Sequence, residues 1–125
     1  MSEPIIDLQA LKELSRGNPD RMLHYLYQFK ELIPKRSAEL RKALSASDRI
    51  NVRKLIHSMS PQVQFFGIKE VVKIKERLAL GYEHIPQEEM NSSVNELLNY
   101  LEKAVTEVSK LINELEQKKD HLKYD

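Results

Sequence analysis

Toward the end of the chain, apolar residues fall at Val94, Leu98, Leu101, Val105, Val108, Ile112 and Leu115, in alternating steps of four and three. That period marks one face of an α-helix, and Leu97, Ala104 and Leu111 widen the stripe. Pro86 suits a first helical position, so the spacing predicts one helix from Pro86 to about Lys119, roughly 50 Å long at ~1.5 Å per residue. An amphipathic rod must bury its stripe against other elements. Three Gly and five Pro in 125 residues leave little material for the frequent turns of a sandwich or barrel. The fold class that follows is all-α.

Other helices are legible upstream. Asn18 and Pro19 form a cap and first-position pair, after which Met22, Leu26, Phe29, Ile33, Leu40 and Leu44 line one face. Pro34 interrupts this run, but the stripe resumes on the same phase, which favours one bent helix over two. Asp48 can cap a third helix through Phe66 to a stop near Gly67, and a fourth spans about Lys69 to Leu80 before Gly81. A short amphipathic piece from Asp7 to Leu14 precedes them all. The expected architecture is an antiparallel four-helix bundle with a short N-terminal lid helix. With no repeat or long linker, residues 1–125 read as one domain, with about 118–125 as a frayed tail.

Zero Cys removes disulfides, thiolate zinc sites and thiol nucleophiles from consideration and suits a reducing compartment. No window approaches a membrane span, and the start MSEPIIDLQALKELS lacks the basic and apolar regions of a signal peptide, so a cytoplasmic protein is expected. His24, His84 and His121 lie in different elements without ligand spacing, so no metal site is expected. Charge is uneven: residues 41–81 hold nine basic and three acidic side chains, while 82–125 hold five and ten. The basic middle could be a solvated face, or could meet nucleic acid, an anionic membrane or an acidic protein pocket.

Within that basic segment the third helix carries two stripes. Val52, Ile56, Met59, Val63 and Phe66 form the core face, and Phe65 and Phe66 read as core and helix-junction residues. Arg53, His57, Ser60, Gln64 and Gly67 form a polar stripe beside it. His57 is thereby supported by packed neighbours yet open to solvent or a partner. The string HSMSPQVQFFG at 57–67, the opening IDLQALKEL and the Gly-Asn-Pro-Asp turn after it make the chain resemble a histidine-phosphotransfer domain over nearly its whole length.

The resemblance implies a phosphocarrier without autonomous catalytic turnover. His57 would take a phosphoryl group from the aspartyl phosphate of one receiver domain and pass it to another. The partners implied are response-regulator receiver domains and a hybrid sensor kinase, not nucleic acid or membrane, and the carrier is expected to be a monomer. No cofactor is implied, since magnesium belongs to the acidic pocket of the receiver. Imidazole suits this chemistry, because with an ordinary pKa near ~6.5 it is mostly neutral at cytoplasmic pH and can attack phosphorus without a separate base.

The chain departs from the family at two positions. The lysine usual three residues after the histidine is Ser60, and the small residue usual at the fourth is Pro61. Lys54 and Arg53, about one turn before His57, are the nearest replacement cations by spacing, and Ser60, Gln64 and Gly67 are further candidate contacts to the phosphoryl group or the receiver. Pro61 removes the N–H that would bond the His57 carbonyl, so either a bend follows His57 or Ser60 caps a new helix starting at Pro61. Two other readings stay open: a non-phosphorylated adaptor that docks receivers, and a structural bundle that oligomerises through its last helix.

Overall fold

The computed structural model describes residues 3–124, with side chains through Lys119. Six helices follow in order: α1 (Gln9–Ser15), α2 (Pro19–Ser45), α3 (Arg49–Ser58), α4 (Ser60–Phe65), α5 (Lys69–Ala79) and α6 (Gln87–Tyr124). Among the described residues there is no strand, and no helix is long and apolar enough to cross a membrane.

The long apolar stripe organises the chain. Val94, Leu98, Leu101, Val108 and Ile112 are buried, with Val105 and Leu115 partly so, and α6 receives α2 on one side and α5 on another. The helix continues past the expected end at Lys119 to Tyr124. Lys119 forms an ion pair with Asp20 of α2, so the start of the expected tail is tied down; the side chains after it lie outside the described residues.

α2 stays one helix through Pro34, as its continuous phase predicts. Pro34 is exposed, so water can satisfy the carbonyl left without a donor. The start is held as expected: the Asn18 side chain accepts hydrogen bonds from Asp20 N at 2.9 Å and Arg21 N at 3.3 Å. α1 begins two residues later than expected and buries Leu11 against α2.

The third expected helix is two. Its core face holds, with Val52, Ile56, Met59, Val63 and Phe66 all buried, but the hydrogen-bonded ladder breaks at Met59. Pro61 sits in the first turn of α4, where a missing N–H costs nothing. Ser60 does not cap α4, because its hydroxyl is engaged elsewhere. His57 therefore stands in the last turn of α3.

α3 is anchored at its other end by the Asp48 side chain, which accepts from Asn51 N at 3.1 Å. Asp48→Ala should cost about 1 kcal/mol, the usual worth of such a cap, read as a lower urea midpoint at unchanged slope.

Candidate functional site

Arg49, Arg53 and His57 recur every four residues on α3 and so share one face, each about 6 Å further along the axis than the last. They form one wall of a cleft of about 730 Å³; Lys75 and Ala79 of α5, with Tyr82 and Glu83 just after it, form the other. The His57 and Lys54 side chains are exposed at this cleft.

Tyr82 organises the end away from His57. It is buried, its carbonyl accepts a hydrogen bond from Arg49 Nη1 at 3.1 Å, and its ring lies 5.8 Å beneath the Arg53 guanidinium. Burial pushes its phenol up to about 12, against the smaller opposing effect of the Arg53 charge, so the ring stays neutral at any working pH. Two arginines are thus held by one aromatic residue, one by its backbone and one by its π face.

The end near His57 is organised by Ser60. This residue is buried, and its hydroxyl accepts a hydrogen bond from the Lys75 ammonium, which reaches across from α5. Of the four cations on the cleft, Arg49, Arg53, Lys54 and Lys75, none has a carboxylate within 4 Å among the described residues. Glu83 is the single acidic side chain in the lining. A concave surface with that surplus attracts anions, and phosphate oxygens in particular, because ammonium and guanidinium donate charge-assisted hydrogen bonds to them.

The residues of the polar stripe therefore separate. Arg53, Lys54 and His57 come together in the cleft, and Ser60 stands behind it through Lys75. Gln64 and Gly67 instead border a different hollow, with Lys69, Val72 and Lys73. Gly67 has a structural role of its own. Its φ of +61° is left-handed, and a Cβ there would lie 2.7 Å from the Asp7 Cβ. The close approach lets Asp7 N donate to the Phe66 carbonyl at 2.8 Å and lays the N-terminal segment on the helix junction.

Arg49, Lys75 and Tyr82 are not singled out by the sequence pattern around His57. Extending the polar stripe one turn back from Arg53 reaches Arg49. Lys75 follows the buried Ile74 as His57 follows the buried Ile56, so each flanks a core stripe on its own helix. Tyr82 lies in the turn after α5, where no period points to it.

A larger hollow of about 900 Å³ lies between the N-terminal segment and α6, but its chemistry is structural. The Glu107 carboxylate there accepts from Ile5 N and Ile6 N at 2.9–3.1 Å and ties the segment down. No group of three or more metal-ligating side chains gathers among the described residues.

Comparison with family models, with curated proteins and with solved structures gives no match.

Proposed function

We propose that this chain is a histidine-containing phosphocarrier of the histidine-phosphotransfer type. In this reading α2, α3 with α4, α5 and α6 are the four members of an antiparallel bundle and α1 is its lid. The observation that carries it is an exposed imidazole at the end of a cleft whose cations lack carboxylate partners among the described residues.

The chemistry is a displacement at phosphorus. A lone pair of the neutral His57 imidazole forms the N–P bond as the bond from phosphorus to the receiver's aspartyl oxygen breaks. That electron pair leaves on the aspartate carboxylate, and the proton on the other ring nitrogen stays until solvent removes it. The return step runs this sequence backwards onto a second receiver. Magnesium stays with the receiver's carboxylates, and the carrier needs no cofactor or turnover of its own.

The docking surface has a matching character. Ile50, 72% exposed, lines the cleft, and Leu80, 90% exposed, follows the lining residue Ala79 in sequence. Apolar contacts beside cations suit the acidic, apolar-rimmed mouth of a receiver better than a nucleic-acid backbone or lipid surface. The partners are then receiver domains, one of them attached to a sensor kinase, and the chain acts as a cytoplasmic monomer.

Incubation with receiver domains charged by acetyl phosphate tests this directly. Acid-labile, alkali-stable label should appear on the chain and map to residue 57 by mass spectrometry. Receivers that bind the chain but never label it would leave the adaptor as the correct reading. A chain that binds none and self-associates in light scattering would leave the structural bundle.

A further inference from the structure

We infer that Lys75 of α5, and not a residue of the histidine's own helix, supplies the cation that contacts the phosphoryl group on His57, with Ser60 as its positioning residue; this rests on the phosphocarrier reading.

The candidate cations of the cleft differ in what holds them. The Arg53 guanidinium lies over the Tyr82 ring and Arg49 is bonded to the Tyr82 carbonyl, so both are drawn toward the end of the cleft away from His57. Lys54 is exposed, with no hydrogen bond or ion pair to fix it among the described residues. Lys75 is different. It is half-buried and lines the same cleft as His57, and its ammonium is bonded to the hydroxyl of Ser60.

Ser60 lies three residues after His57, and residues at that spacing on helical backbone are side-by-side neighbours, about 5–6 Å apart at Cβ. Met59 between them keeps helical dihedrals at φ −91° and ψ −4°, so the two positions stay on one side across the break. An ammonium resting on Ser60 therefore stands beside the imidazole. It has three N–H donors; Ser60 takes one, leaving two for phosphoryl oxygens. A small hydroxyl at position 60 makes room for this arrangement, and a lysine there would occupy the same space. The cation has moved from the histidine's helix to the facing one, and the serine holds it in register.

The test uses the full chain as wild type, Lys75→Met, Lys75→Arg, Ser60→Ala, and the double variant Lys75→Met with Ser60→Lys. Each is phosphorylated with phosphoramidate, which needs no partner, and then offered an uncharged receiver. Yield, pH dependence of phosphohistidine lifetime and transfer rate are read by ³¹P NMR and radiolabel. Lys75→Met should lower yield and transfer rate roughly three- to tenfold, the worth of one charge-assisted hydrogen bond at a partly exposed site. Lys75→Arg should retain most of the activity, Ser60→Ala should give a smaller loss, and the double variant should recover toward wild type. Helical content by circular dichroism should match throughout. Lys75→Met with wild-type yield, lifetime and transfer overturns the assignment alone. A wild type that takes label from neither phosphoramidate nor any receiver overturns the phosphocarrier reading as well.

Discussion

His57→Gln is expected to reduce acid-labile label to background, a loss of more than roughly a hundredfold, while fold and receiver docking stay close to wild type. A glutamine amide has no nucleophilic lone pair on nitrogen and cannot form the N–P bond. The side chain it replaces is exposed in the last turn of α3, where a substitution usually changes stability by no more than about 0.5 kcal/mol. The four cations, Ile50 and the Tyr82 anchor remain in place, so the surface proposed to meet a receiver is altered at one point only. Two measurements separate chemistry from binding: radiolabel transfer should vanish, and receiver affinity by fluorescence anisotropy should shift by a few-fold at most. Label persisting on the variant would place the acceptor elsewhere, with His24 and His84 the first residues to examine.

The helices were legible because their apolar periods are long and unbroken. The α6 stripe and the core face at Val52, Ile56, Met59, Val63 and Phe66 are buried at nearly every position the spacing assigns. Breaks were legible where a residue forbids a hydrogen bond, as Pro61 does, but the resulting geometry was not. Whether Ser60 would cap α4 or turn inward depended on a competitor from another helix, and the Lys75 ammonium is that competitor. The same limit governs the site. His57, Arg53 and Lys54 share a helix, so period alone brings them together, whereas Lys75 and Tyr82 join them only through the packing of α5 and the turn after it. Gly67 shows the reverse: it keeps the phase of the polar stripe, yet its backbone serves the contact with Asp7.

The largest stability effect is expected at the junction that fixes the end of α4. Phe66 is 1% exposed, with its ring 4.4 Å from that of Phe29 on α2 and 5.6 Å from that of Phe65 in an edge-on arrangement. Its carbonyl also receives Asp7 N, so the residue joins α2, the α4 terminus and the N-terminal segment at one point. Phe66→Ala removes most of a buried ring in the middle of the core and leaves a cavity that the helices can only partly close. Such changes cost about 3–5 kcal/mol, a large share of the ~5–15 kcal/mol that holds a typical domain folded. For a chain of this size the melting temperature should fall by roughly 10–20 °C. Because Phe66 does not line the His57 cleft, its loss should act through the folded fraction and not through the chemistry. Well below the new melting point, phosphoramidate labelling per folded molecule should equal that of the wild type. A melting temperature within about 2 °C of the wild type would show that the aromatic junction does not hold α4 in place. Labelling lost while the chain remains folded would mean that the cleft depends on this junction more directly than the packing implies.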